Sequence, residues 1–235
     1  MKKLFLISFI LLLVSCDKYE EFAHNIKCGN NEIVYKTKYA YPVEIESEDW
    51  DDIFGCNLVK NTYSNWYGKL IFDDDIVAIP IGAFENFSTL THVKLPNCVK
   101  TINESAFMGC TALKSIVIPN SVTSIGLSVF ARCTNLTDVN IPKGIKTISS
   151  SAFSGCASLA KIVIPNSVTS IGGSAFEYCS NLKNVYCKAV TPPTLGSNGL
   201  GSGKYDKKIF VPRESLQLYQ SKWPYYATAI VAYDF

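Results

Sequence analysis

The sequence predicts a mainly β solenoid of stacked 23-residue coils, capped at both ends, and three observations carry that prediction. Copies of one pattern begin at Leu90, Leu113, Leu136, Leu159 and Leu182. Within each copy, apolar and polar residues alternate over positions three to six, and a proline follows at position seven in the first four (Pro96, Pro119, Pro142, Pro165). Towards the end of those copies a phenylalanine (Phe107, Phe130, Phe153, Phe176) stands three residues before a cysteine (Cys110, Cys133, Cys156, Cys179). Aliphatic residues at constant offsets, with a period of about 20–30 residues, mark a stack of units that each contact only their neighbours.

The first element of each coil is a strand. Position four reads Val93, Ile116, Val139, Ile162, Val185, and position six reads Leu95, Ile118, Ile141, Ile164, Cys187, with polar residues mostly between them. That is the two-residue period of a pleated chain. Proline ends the strand because it has no N–H to donate to a ladder. A second, shorter extended piece follows, as in Val122–Ile125. Gly126, Gly172 and Asn103 share the next position and suggest a backbone that needs φ > 0. The Ala-Phe-x-x-Cys tail suits one helical or 3₁₀ turn with Phe and Cys facing inward. Stacking in register puts the first strands into one parallel sheet about 4.8 Å apart. A weaker copy from Tyr67 places Leu70, Phe72, Ile76, Ile79, Phe84 and Phe87 at the same offsets, so repeats run over 67–187.

The motif L-x-x-[IV]-x-I-P-x-S-V-T-S-I-G-x-x-A-F-x-x-C, complete over Leu159–Cys179, closely resembles the BspA-like leucine-rich repeat family of Bacteroidetes surface proteins. The resemblance covers residues 67–187 and extends more weakly to Thr191-Pro-Pro, to Ile209–Leu216 and to Trp223. It departs from the family pattern in the first coil, where Asp73-Asp74-Asp75 lies near the turn and Phe87 replaces the cysteine. The resemblance implies a leucine-rich-repeat fold and a protein-binding or adhesive role towards host matrix proteins or other bacterial surface proteins. It implies no cofactor and no catalysis.

Residues 1–15 read as a signal peptide: Lys2 and Lys3, an apolar run over Leu4–Val14, then Ser15-Cys16. The run is too short to span a bilayer. Leu13-Val14-Ser15-Cys16 is similar to a lipobox in which Cys16 is lipidated, and several acyl chains, at about 0.8 kcal/mol per buried CH₂, make a lasting anchor. Asp17-Lys-Tyr-Glu-Glu21 resembles the signal that sends Bacteroidetes lipoproteins to the outer face of the outer membrane; a periplasm-facing orientation stays open. Residues 16–30 form a tether, 31–66 an N-terminal cap with a strand near Glu32–Tyr35, and 188–235 a C-terminal cap. In that last segment Glu214–Lys222 has helical spacing and Ala229–Tyr233 reads as a closing strand.

Without Lys2 and Lys3 the chain holds 20 basic and 20 acidic side chains. That neutrality argues against nucleic-acid binding and against electrostatic membrane docking, both of which depend on an excess of basic side chains. Membrane attachment is expected through the lipid anchor alone.

Nine cysteines in an exported chain ordinarily signal disulfides. Here Cys110, Cys133, Cys156 and Cys179 share a column with Phe87, so the slot asks for a compact hydrophobe and free buried thiols are expected. Side chains stacked in parallel do not point at one another as a disulfide requires. Cys28 and Cys56 are both N-terminal, and the sequence leaves their pairing open.

Little else suggests chemistry. His24 falls in the tether and His92 on the outward side of a strand, without partners for a nucleophilic triad. Asp73–Asp75 lacks the spaced ligands of a calcium loop, and the acidic run Glu44–Asp52 reads as a solvated loop, so no metal site is expected. The informative surface is the outward, concave side of the sheet, set by positions three and five. Its candidate ligand-binding residues are Lys69, His92, Lys94, Asp138, Asn140, Lys161, Asn184 and Tyr186. With one aromatic among them, this face offers no row of rings for sugars to stack on, which disfavours a glycan ligand. The expected function is a cell-surface lipoprotein that binds protein through this face. The alternatives are a glycan-binding accessory lipoprotein and a periplasm-facing envelope scaffold.

Overall fold

A computed structural model describes residues 29–39, 42, 54, 56–65, 67–203 and 206–235. The signal peptide with Cys16, most of the tether with His24 and Cys28, and the acidic run Glu44–Asp52 lie outside the described residues, and with them the pairing of Cys28.

Strands β1 (Glu32–Thr37), β2 (Leu58–Ser64) and β3 (Tyr67–Phe72) open the structure. The first strands of the coils that follow are β5 (Leu90–Lys94), β7 (Ser115–Val117), β9 (Asp138–Val139), β11 (Lys161–Ile164), β13 (Asn184–Cys187) and β15 (Lys208–Pro212). Between them lie two-residue strands: β4 (Ala78–Ile79), β6 (Thr101–Ile102), β8 (Ser124–Ile125), β10 (Thr147–Ile148), β12 (Ser170–Ile171) and β14 (Thr194–Leu195). A 3₁₀ turn (Arg213–Ser215), helix α1 (Leu216–Lys222), a second 3₁₀ segment (Pro224–Ala229) and β16 (Ile230–Tyr233) close the chain.

The first strands form two sheets, β2-β3-β1-β5-β7-β9 and β11-β13-β15-β16, where one parallel sheet was expected. β1 is inserted antiparallel between β3 and β5, pairing Tyr35 with both Gly68 and Val93. Laid on β5, β1 covers the strand edge of the repeat stack that would otherwise template further pairing. The ring of Tyr35 lies where a Cβ on Gly68 would stand, and its hydroxyl donates to Asn61 Oδ1 at 2.7 Å. Gly68 is therefore a place for a ring. The break between β9 and β11 falls at Asn140, whose side-chain amide takes both backbone groups of Ile118 (Ile118 N–H to Oδ1, 3.1 Å; Nδ2 to Ile118 O, 2.8 Å).

The tail of each coil is not a helical turn. Ser105, Ser128, Ser151 and Ser174 have φ of 53–56°, and four residues later Gly109, Arg132, Gly155 and Tyr178 again have φ of 58–76°. A left-handed residue every fourth position forbids a helix. It turns alternate N–H groups towards the next coil, as in Phe107 N to Val129 O (2.9 Å) and Gly109 N to Ala131 O (2.8 Å). Gly126 and Gly172 have a different role from the one their position suggested. Neither has positive φ, and a Cβ on either would stand 2.5 Å from a backbone nitrogen of the preceding coil (Glu104 or Ser150). Close approach of coils requires them.

The interior is a set of ladders. Phe84, Phe107, Phe130, Phe153 and Phe176 stack ring on ring, with centroids 5.0–5.6 Å apart and planes within 17°. Behind them Cys110, Cys133, Cys156 and Cys179 are buried and unbridged. Each thiol donates to a phenylalanine carbonyl one coil back, for instance Cys133 Sγ to Phe107 O at 3.1 Å. A cysteine here is a small hydrophobe that also satisfies a buried carbonyl. Burial raises these thiols, Cys110 and Cys179 to about 12 and Cys133, Cys156 and Cys187 also upward. In the native protein these five thiols will resist a thiol reagent at pH 8. After unfolding without reductant all five will be alkylated, and a peptide map that finds any of the five unlabelled would show a disulfide there.

Coil stacking continues past Cys187. β14 pairs with β12 at an offset of 24 residues, and Asn198 repeats the first left-handed position one residue late because of an inserted residue around Pro192-Pro193, while Gly201 repeats the second in the ordinary 23-residue register. β15 then repeats the coil pattern, Lys208-Ile-Phe-Val-Pro212, beside β13. Helix α1 packs Tyr219 and Trp223 beneath this end: Tyr219 donates to Ala189 O (2.8 Å) and Trp223 Nε1 to Pro193 O (3.0 Å).

Candidate functional site: the outward sheet face

Alternation puts positions three and five of every first strand on one side, away from the core. Because the sheet divides at Asn140, the eight candidate residues fall into two groups, and Cys16 lies outside the described residues.

At the N-terminal end, Lys69 forms an ion pair with Glu32 (3.1 Å). His92 lies opposite Lys36 of β1, and Lys94 opposite Val34. The strand laid alongside leaves His92 only partly exposed, with Nδ1 3.0 Å from Thr91 Oγ1. Desolvation, with Lys36 and Lys114 nearby, lowers its pKa to about 4 from the usual 6.5. The folded protein therefore holds His92 neutral. The unfolded chain binds its proton first as pH falls through 6.5, so stability is full above that pH and drops between about 6.5 and 4. The loss at pH 4 should reach up to about 3 kcal/mol, and His92→Gln should flatten urea-unfolding stability over this window by a comparable amount.

Asp138 is exposed beside the sheet break, and the amide of Asn140 is taken up in bridging to Ile118. Three and four coils on from His92, about 14–19 Å at 4.8 Å per coil, Lys161, Asn184 and Tyr186 come together on β11 and β13. Here the structure adds residues that the sequence reading missed. Tyr186 stacks on Phe210 (4.6 Å, 11°), Tyr233 meets both rings edge-on (5.7 and 5.4 Å), and Phe235 packs on Tyr233 (5.0 Å). The Lys188 ammonium sits 5.6 Å above the centre of Phe235. The outward face thus carries four rings at this end, where one was expected. Phe210 was within reach of the sequence, since Lys208–Pro212 matches positions three to seven of a coil. Tyr233 and Phe235 follow a strand that the repeat does not register.

Two adjoining clefts open beside the rings. One, of about 380 Å³, is lined by Lys161, Val163, Tyr186, Lys188, Tyr233 and Phe235; the other, of about 570 Å³, extends past Val163, Lys188 and Phe235 to Lys143 and Asn166. Asp234, the acid on this rim, is held by Arg213 through both oxygens (3.0 and 2.8 Å), which keeps its carboxyl below the ordinary range. The acidic residues near the first turn are likewise engaged: Asp73 accepts from Asn57 N and Nδ2 (2.8 and 2.6 Å), and Asp75 from Asn30 (3.2 Å). No group of three or more metal-ligating side chains occurs among the described residues, and no described helix is long and apolar enough to cross a membrane.

Stacked coils with strand, turn and left-handed tail, presenting a strand-lined face, define a leucine-rich-repeat solenoid. A family model described as "BspA type Leucine rich repeat region" matches in six copies over residues 61–189, 129 of the 235 residues, and the chain belongs to that family. No curated protein matches the sequence. Among solved structures the chain is similar to a T. pallidum leucine rich repeat protein, with 30% identity over 54% of this chain and 64% of that one and a TM-score of 0.48. It is also similar to a leucine rich cell surface protein of Faecalibacterium prausnitzii A2-165 (28% identity, 60% of this chain, 31% of that one, TM-score 0.43). A third is a leucine-rich repeat protein of Bacteroides ovatus (23% identity, 65% and 56%, TM-score 0.44). The chain spans 31–64% of the length of these three proteins.

Proposed function

We propose that this protein is a lipid-anchored lipoprotein of the outer membrane, displayed at the cell surface, that binds other proteins through its outward sheet face. The observation that supports this most directly is the exposed apolar and aromatic surface at the C-terminal end of that face. Val163, Tyr233 and Phe235 are 43%, 41% and 51% exposed, on a side of the sheet that folding alone would leave polar. Cys16 serves as the anchor in this reading, and host matrix or bacterial surface proteins are the partners. Lys69, His92, Lys94, Asp138 and Asn140 contribute an outlying part of the contact, with Lys161, Asn184 and Tyr186 at its centre. A glycan ligand is the second reading, favoured by the four-ring cluster that the sequence did not reveal.

The test is binding of the soluble chain from residue 17 onward to a panel of matrix proteins and glycans. A Tyr186→Ala/Tyr233→Ala variant, confirmed folded by circular dichroism, runs beside it. Saturable binding to a protein, weakened at least tenfold in the variant, supports the reading. Binding to glycans alone replaces it with the second, and binding to neither rejects both.

A further inference from the structure

We infer that the paired clefts at the C-terminal end of the sheet take an extended acidic peptide segment of a partner protein, with an apolar side chain anchored among Val163, Tyr233 and Phe235. This rests on the protein-binding reading above and names the chemistry of the partner at that site.

Charge comes first. Lys143, Lys161 and Lys188 border the two clefts, and none forms an ion pair among the described residues. The carboxylate on the rim, Asp234, is already satisfied by Arg213. A ligand crossing this groove meets a net positive border, and acidic groups on it gain charge-assisted hydrogen bonds without displacing an existing partner.

The rings then separate a peptide from a sugar. Sugars stack on open ring faces, but Tyr186 and Phe210 each use one face on the other, and the Lys188 ammonium covers one face of Phe235. Tyr233 stands at 71–73° to the stacked pair, and with Val163 the cluster lines the first cleft with aromatic and aliphatic carbon. Such a wall suits an inserted Leu or Phe side chain, the kind of central anchor that dominates protein interfaces. The shared lining of the two clefts, Val163, Lys188 and Phe235, sets them side by side from Tyr186 to Asn166, a span that fits an extended chain better than a compact ligand.

The test uses fluorescence polarisation with the soluble chain and four labelled probes. These are a ten-residue Asp/Glu peptide with a central Phe, the same peptide with Ala at the centre, its Lys-substituted counterpart, and an oligogalacturonate. The expected result is saturable binding of the Phe-bearing acidic peptide, at least tenfold tighter than either other peptide and weakening as salt rises. Lys161→Glu/Lys188→Glu should reduce that binding at least tenfold, while Lys100→Glu, exposed and outside both clefts and the sheet strands, should leave it within twofold. Equal binding of the Lys-substituted peptide, tighter binding of the oligogalacturonate, an unaffected double variant, or no peptide binding would each overturn the inference. If whole matrix proteins still bind and the peptides do not, this inference falls and the broader protein-binding reading stands.

Discussion

Replacing Phe130 by Ala is expected to lower the stability of the whole repeat stack by about 3–5 kcal/mol. Phe130 is fully buried and is the middle ring of the five-ring ladder, with Phe107 at 5.6 Å on one side and Phe153 at 5.4 Å on the other. Its carbonyl accepts the thiol of Cys156, and its N–H donates to Ala152 O, so the backbone here is tied into the next coil and has little freedom to fill a cavity. In a stack stabilised by nearest-neighbour interfaces, a defect in the middle weakens two interfaces at once and divides the cooperative unit. Urea unfolding read by circular dichroism should show a lower midpoint for Phe130→Ala together with a reduced slope. A loss under about 1 kcal/mol would mean that the ladder adds little to stability.

Trp223→Ala is expected to cost a similar amount, about 3–5 kcal/mol, but at one end of the molecule. Trp223 is buried, packs edge-on against Tyr219 (4.9 Å, 87°) and donates to Pro193 O, so its removal leaves a void and a buried carbonyl without its donor. Trp223→Phe keeps much of the packing and loses the bond, and should cost about 1–2 kcal/mol. Because the residue sits under the last coils, the change should be local. Hydrogen exchange should quicken at Thr194–Leu195 and Ile209–Val211 while Val93 and Ile116 keep their protection. Uniform loss of protection along the chain would show that the cap and the repeats unfold as one unit.

The contrast between these sites matches what was legible in the sequence. The columns at Val93, Ile102, Phe107 and Cys110 could be read because an apolar residue of the same kind recurs at nearly every 23rd position. Glycine and serine roles were harder to see. A glycine that prevents collision, such as Gly126, and one that permits positive φ look alike in a sequence, and the left-handed residue proved to be serine two positions later. Phe107 and Cys110, three apart, fit a helical turn and the observed tail equally well. The ends were least legible, because nothing there is copied. The antiparallel insertion of β1 depends on the Tyr35 ring meeting Gly68, a long-range pairing without a local signature. The ring cluster of Tyr186, Phe210, Tyr233 and Phe235 likewise assembles from three separate strands or their ends. For the candidate face, the repeat therefore disclosed Lys161, Asn184 and Tyr186 but not the rings that surround them.

The left-handed tail of each coil has one more consequence, for how such a protein can change over generations. Its N–H groups are answered by the coil ahead and its thiol by the coil behind, so every internal coil presents the same two couplings, and a duplicated or deleted stretch is accommodated when it spans a whole 23-residue unit. An added unit between Leu136 and Leu159 would move the lysines and rings near Tyr186 about 4.8 Å farther from His92 and Lys94 without altering either group. Gene slippage by one unit thus acts as a ruler on the reach of the outward face. Partner geometry can be adjusted by copy number while each end, once evolved, is kept whole.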